Sequence, residues 1–362
     1  VKRKHSLVVV GLMGVALSLS ACGNDDDSSD KGGGDGGAAD GKIGVILPDT
    51  ESSVRWESAD RPALESAFKE AGVEYDIQNA EGDAERMTQI ADTMIGNGVT
   101  VLAIVNLDSE SGAAIQEKAK EQGVATIDYD RLTLGGSAEY YVSFDNTKVG
   151  ELQGQGLADC LGEKDANIVY LNGAPTDNNA TLFAEGAHSV LDSMTSYKVV
   201  GEQAVPEWDN EEAATIFQQL YTAADGKVDG VLAANDGLGG AAIGILEGAG
   251  QAGKVPVTGQ DATVEGLQNV LAGTQCMTVY KSATQEANAL AETAIALVNG
   301  DDAKTTGTTV DSSDQSEVPS ILLDPQSITK DNVGDVITDG GQKAEDVCSG
   351  EFAAMCTEAG IS

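Results

Sequence analysis

Asp261 and Lys281 close the two strands of one stretch, KVPVTGQDATVEGLQNVLAGTQCMTVYK (254–281). Its spacing predicts strand, turn, helix and strand. Val255 and Val257 open an apolar strand that ends at Gly259-Gln260-Asp261. Val264, Leu267, Val270 and Leu271 share a helix face stopped by Gly273, and Met277, Val279 and Tyr280 run into Lys281. In an open parallel sheet, such strand ends line the ligand crevice. One carboxylate and one ammonium, with no nucleophile or metal cluster beside them, suit a polar, uncharged, hydroxyl-rich ligand. Further polar residues recur where strands should end, at Asp130-Arg131, Asp177-Asn178-Asn179 and Asn235-Asp236. One such pair is ordinarily a turn or a helix cap, but several along one sheet edge form a candidate site. Carboxylates and amide oxygens accept hydroxyl protons there, while Arg, Lys and amide nitrogens donate.

Trp56 and Trp208 are the only tryptophans. Both fall in polar stretches, flanked by Arg55 and Glu57 or by Glu207 and Asp209, and not inside an apolar periodic run. A flat ring in a cleft suits the C–H face of a sugar, burying area while the rim hydroxyls meet polar partners. Other chemistries lack their residues. Gly237-Leu238-Gly239-Gly240 is an incomplete dinucleotide turn on a late strand, better read as glycines that let a helix start pack closely. No phosphate-loop lysine, nucleophile elbow or metal-ligand cluster is present, so neither catalysis nor a metal or cofactor is expected. His188 falls in a helix pattern and reads as structural.

The compartment is written at the N-terminus. Lys2, Arg3 and Lys4 precede an apolar or small run over 7–21, too short for a comfortable membrane span. That order predicts a signal peptide over 1–21. It ends in Leu19-Ser20-Ala21-Cys22, which resembles a bacterial lipobox with Cys22 as the lipidated residue. Residues 22–40, rich in Gly, Ser and Asp, read as a flexible tether. A net charge of −38 argues against nucleic acid and anionic membrane surfaces as partners, leaving the lipid as the sole membrane link. Export permits disulfides. Cys348 and Cys356 lie close enough in the tail to bridge, while Cys160 and Cys276 fit either a pair or two buried thiols.

From Lys42 onward the pattern alternates strand and helix. Strands are expected at 42–47, 73–78, 99–105, 124–129 and 140–144, with helices at 57–71, 84–97 and 111–122 between them. A second array runs through helices 147–161, 179–194, 210–224 and 238–250 and strands 167–171, 198–204, 228–234 and 254–258. Helix 284–299 returns to the first array, and 317–323 forms one late strand. Repeated βα units imply parallel sheets with right-handed crossovers. The fold class is α/β, with two doubly wound parallel-sheet lobes joined by a multi-strand hinge. The divisions are 41–145 plus 282–312 for the first lobe, 146–281 plus 313–345 for the second, and 346–362 for a tail. A cleft between such lobes is the default ligand site.

Residues 42–345 resemble the periplasmic D-xylose-binding and multiple-monosaccharide-binding proteins, type I sugar-binding proteins of ABC importers. The shared strings are Arg55-Trp56, YDR (129–131), SFDNTKVGELQ (143–153), DNNA (177–180) with Phe183, NDG (235–237), GQDA (259–262), MTVYK (277–281) and the late VPSILL (318–323). Their order and spacing make the match specific. The resemblance implies a monosaccharide, first of all D-xylose, held by Arg55, Asp130, Arg131, Asn179, Asn235, Asp261 and Lys281, with Trp56 and Trp208 stacking on it. It also implies a monomeric, non-enzymatic receptor on the outer face of the cell membrane, delivering sugar to ABC permease subunits. A broader aldose binder for a sensor kinase or chemoreceptor is the alternative. Asp60 stands one position later than the pattern, and VPEWDN (205–210) replaces a longer loop. A repressor with a similar core is disfavoured by the signal peptide and the missing helix-turn-helix, and a sugar-modifying enzyme by the absent acid pair.

Overall fold

A computed structural model describes residues 41–361, so the expected signal peptide, Cys22 and the tether lie outside the described residues. The first lobe is built in chain order from β1 (Lys42–Leu47), α1 (Arg61–Ala71), β2 (Glu74–Asn79), α2 (Ala84–Gly96), β3 (Val101–Ile104), α3 (Ser109–Glu121), β4 (Ala125–Tyr129) and β5 (Tyr140–Phe144). β3 is buried along its whole length, as a parallel strand covered on both faces must be. Asp83 and Asp108 cap α2 and α3 by accepting from backbone N–H groups of the first turn.

The second lobe follows as α4 (Asn146–Leu161), β6 (Ala166–Asn172), α5 (Asn178–Leu191), β7 (Tyr197–Ala204), α6 (Asn210–Ala223), β8 (Gly230–Ala233), α7 (Asp236–Gly248), α8 (Val264–Ala272) and β9 (Thr278–Tyr280). Its parallel sheet runs β7-β6-β8. The expected strand at 254–258 is a single bridge in place of a full strand, with a second bridge just beyond it. Val257 pairs with Val231 and Gln260 with Val279. Pro256 has no N–H to give a ladder, although its carbonyl accepts from the Val231 N–H at 2.9 Å. Helices α4 and α5 touch backbone to backbone, since a Cβ on Gly150 or Gly186 would meet main-chain atoms of the other helix at 2.0–2.1 Å.

After β9 the chain crosses back. α9 (Ala283–Val298) lays Ala287, Leu290, Ala291 and Ala294 on the first sheet beside Ile43, Val45 and Val101. β10 (Gly307–Val310) and β11 (Glu317–Leu323) then complete a seven-stranded sheet in the order β10-β11-β5-β4-β3-β1-β2, parallel except for β10 against β11. This corrects the division made from the sequence, which put 313–345 in the second lobe. β11 pairs with β5 in the first. An apolar strand pattern says that a strand forms and nothing about its neighbour. The chain re-enters the second lobe through β12 (Gln326–Ile328), antiparallel to β9, and ends in α10 (Val333–Thr338), α11 (Ala344–Val347) and α12 (Ala353–Glu358). The tail is part of the second lobe: Val333, Val336, Val347, Cys356 and Ile361 pack against Leu267, Val270 and Leu271 of α8. Disulfides join Cys348 to Cys356 and Cys160 of α4 to Cys276 ahead of β9. No helix among the described residues is long and apolar enough to cross a membrane.

Candidate functional site

Every binding residue named from the sequence lines one cavity between the lobes. Arg55, Trp56, Asp130, Arg131, Asn179, Trp208, Asn235, Asp261 and Lys281 are joined there by Ser52, Ser53, Asp177, Phe183 and Gln260. Local structure explains the convergence. A π-helical turn, Trp56–Asp60, precedes α1 where the sequence suggested plain helix from residue 57. The wide turn is a geometry common at functional positions. Beside it Arg55 donates from Nε and Nη2 to both Asp60 oxygens, at 2.9 and 2.7 Å. Asp130 follows β4 with a φ of +60°, and its carbonyl accepts from Ser143 Oγ, Tyr141 Oη and Asn179 Nδ2 at 2.7–3.0 Å. Asp177 and Asn235 are the N-caps of α5 and α7, accepting from Asn179 N–H and Leu238 N–H at 2.9 Å. The caps predicted as the ordinary explanation for these residues are therefore real, and the same side chains also face the cavity.

The two tryptophans differ from the expectation in one respect. Both are buried, at 3% and 5% exposure, and belong to the apolar cores as well as to the cavity wall. Trp56 donates from Nε1 to Ser52 Oγ at 3.1 Å and lies under the Arg55 guanidinium, whose Cζ is 4.6 Å from the ring centre. Trp208 ends a short 3₁₀ turn with a φ of +60°, meets Phe183 edge-on at 6.4 Å and donates from Nε1 to Asp177 Oδ2 at 3.2 Å. The bare Cα of Gly173 makes room for its ring.

Charges are paired throughout. Arg131 Nε lies 3.0 Å from Asp177 Oδ2. Lys281 Nζ lies 3.7 Å from Asp130 and 3.8 Å from Asp261, so its ammonium spans both lobes. Few hydrogen bonds tie the cavity rims directly, among them Ser53 Oγ to Asp261 Oδ2 at 3.3 Å and Asn235 Nδ2 to the Ser52 carbonyl at 3.5 Å. Burial alone would raise the Asp130 carboxyl, but Lys281, Arg55 and Arg131 outweigh it and hold the group low. Burial likewise opposes the Lys281 charge, and Asp130 and Asp261 restore it. Asp60 and Asp177 are raised by burial despite their arginine partners. Behind Arg55 sits Glu286 of α9, fully buried and pushed up to about 8, chiefly by loss of water.

Ser52, Ser53, Gln260 and Glu286 escaped the sequence reading. The serines and Gln260 adjoin residues that were picked, but carry no pattern of their own. Glu286 lies in a helix face that reads as amphipathic filler. His188, read as structural, stacks on Tyr170 and bonds Asp192 and Glu202, away from the cavity. No cluster of metal-ligating side chains occurs among the described residues. The arrangement offers many fixed donors and acceptors, two aromatic faces, and no activated nucleophile.

Residues 43–302 match the family model described as a periplasmic binding protein domain. A D-xylose-binding periplasmic protein of Escherichia coli (strain K12) is 38% identical over 310 residues, which is 84% of this chain and 92% of the relative. A multiple sugar-binding periplasmic receptor of Rhizobium radiobacter is 35% identical over 328 residues, 84% of this chain and 91% of that one. Among solved structures, a carbohydrate transporter solute-binding protein from Chloroflexus aurantiacus in complex with D-glucose superposes with a TM-score of 0.78. It is 28% identical and covers 84% of this chain and 97% of its own. The chain therefore belongs to the periplasmic binding protein family, in its type I fold and beside its D-xylose- and multiple-sugar-binding members, a family of receptors and not of enzymes.

Proposed function

We propose that this chain is the extracytoplasmic binding protein of an ABC-type sugar importer and holds one monosaccharide, D-xylose first, between its lobes. The observation that carries the reading is the convergence of Trp56 and Trp208 with Arg55, Asp130, Arg131, Asn179, Asn235, Asp261 and Lys281 on one cavity. Carboxylates and amides around two flat rings satisfy hydroxyls that both donate and accept, while the rings cover the C–H faces. In this reading hinge motion closes the lobes over the sugar, and the closed monomer is presented to the permease. Cys22 carries the lipid that keeps it at the outer face of the cell membrane. Calorimetric titration with xylose, glucose, galactose, arabinose and ribose is the test. Tight binding of xylose alone supports the specific reading, and no heat from any of them refutes it.

A second reading gives the same cavity to a broader aldose-binding protein serving a sensor kinase or chemoreceptor. The D-glucose held by the Chloroflexus relative favours it. Comparable affinities for xylose, glucose, galactose and arabinose in the same titration would select it.

A further inference from the structure

Four carboxyl groups approach the Arg55 and Lys281 cations, and hydrogen-bond geometry sorts them. Asp60 accepts on both oxygens, from Arg55 Nε and Nη2 and from the Tyr129 hydroxyl. Asp130 also accepts on both, from Asn179 Nδ2 at 3.1 Å and Arg55 Nη1 at 3.3 Å. Asp261, at the cavity rim, faces Lys281 and the Ser53 hydroxyl. Glu286 differs. Its Oε2 accepts from Arg55 Nη2, but its Oε1 is buried with no donor among the described residues. Its carboxyl lies within hydrogen-bonding reach of the Asp130 carboxyl. Two carboxyls meet in this way when one of them keeps its proton.

We propose that Glu286 is a positioning residue of the binding site, a protonated acid whose hydrogen holds Asp130 while its other oxygen holds Arg55, so that sugar binding takes up a proton. This rests on the binding reading above and adds the regulation of the same site. The groups facing Glu286 are Arg55 and Asp60 at the π turn, Tyr129 on β4, Asp130 after it, Tyr141 on β5 and Lys281 at the crossing. With Glu286 neutral, Arg55 and Lys281 already face three carboxyl groups, Asp60 and Asp130 in the interior and Asp261 at the rim. With it ionised, a third buried anion stands beside Asp130 and draws the guanidinium away. Asn179 of the second lobe donates to Asp130 across the cleft, and in this proposal closure is the step that makes that contact and withdraws water from the cluster. Loss of water favours the neutral acid, so the closed form binds the proton more tightly than the open one.

The experiment is titration with D-xylose from pH 6 to 9 for wild type and Glu286→Gln, the neutral isostere, with calorimetry at pH 8 in phosphate and in Tris. The expected result is a wild-type Kd that rises by up to about tenfold per pH unit as pH climbs toward about 8, the value of Glu286 with the lobes together, and levels off above it. Wild type takes up part of a proton on binding, whereas Glu286→Gln takes up none and shows a flat profile. A flat wild-type profile with no buffer dependence overturns the proposal, as does a loss beyond about thirtyfold for Glu286→Gln at pH 6. If wild type binds no sugar at any pH, the binding reading fails and unliganded melting judges Glu286 by itself. An acid raised from 4.5 to about 8 stabilises fully below the lower value, and that stability drains away as pH rises to the upper one. Wild type losing ground to Glu286→Gln across that window supports the neutral acid, and parallel melting curves overturn it.

Discussion

Gly173 follows β6 and touches Trp208 without contributing a polar atom to the cavity, so Gly173→Ala isolates the placement of that ring. Its backbone has no left-handed φ, and alanine is tolerated by the main chain itself. The added Cβ would lie 2.0 Å from Trp208 Cη2, 2.2 Å from Cζ2 and 2.5 Å from Cζ3. Ordinary carbon contacts begin near 3.5 Å, so the ring has to retreat by roughly 1.5 Å. That movement exceeds what the 3.2 Å bond from Nε1 to Asp177 tolerates, and it loosens the partner that orients Arg131. Overpacking of this kind costs about 1–3 kcal/mol of stability. Losing the stacked face and the Asp177 contact together should weaken D-xylose by about 10–100-fold, or about 1.4–2.8 kcal/mol. The assay is calorimetric titration beside denaturant unfolding of Gly173→Ala, Trp208→Ala and the double variant. With the ring removed the clash is gone, so the alanine's stability cost should nearly vanish in the double variant. Wild-type affinity in Gly173→Ala, or an equal stability cost with and without the ring, would refute the argument.

The remaining predictions concern neighbouring features. Asp261→Asn replaces a charged acceptor beside Lys281 with an amide and should cost about 1.5–3 kcal/mol of sugar affinity, with unliganded melting little changed. Asp236 accepts from Gln275, Thr278 and the N–H and hydroxyl of Thr263; Asp236→Asn turns two donors toward donors and should lower unfolding stability by about 1–3 kcal/mol in urea. In the chain-entropy model, opening Cys160–Cys276, 116 residues apart, should cost about 5 kcal/mol and opening Cys348–Cys356, 8 apart, about 2.5. Unfolding of the paired Cys→Ala variants ranks them, and the reverse order sinks the idea. Burial raises Asp128 from 3.8 to about 7. Its contribution is complete below the lower value and lost as pH climbs through the upper one, so the melting temperature of wild type should fall over that range relative to Asp128→Asn.

The alternation of strand and helix was legible because parallel strands such as β3 are apolar throughout, and because helices such as α2 repeat Met87, Ile90, Ala91 and Met94 on one face. The cavity wall was legible for a related reason. Strand ends are where side chains escape the core, so a charge following an apolar run, as at Asp130 or Lys281, announces its place. Three kinds of information were not local. Strand neighbours are set by tertiary pairing, and β11 went to the wrong lobe on that account. Short elements such as β10, β12 and the tail helices carry too few residues for a period to emerge. Glu286 hides because an acid on a helix face ordinarily meets water, and only the packing of α9 under Arg55 reveals that this one does not.

The placement of β11 has a consequence for how the chain comes to be folded. β11 fills the position between β5 and β10, and α9 covers the face of the first sheet. The first lobe to be synthesised thus lacks two strands and a helix until residue 323 has left the ribosome. Its contacts join residues near 45 to residues near 290 and residues near 142 to residues near 321, a high contact order that slows folding. Neither lobe can become a finished unit by itself as the polypeptide emerges, in contrast to proteins whose domains fold one after another during synthesis. A nascent chain of this design completes neither lobe until nearly all of it has been translated, so a narrow channel that it had to thread would meet no finished domain to unfold.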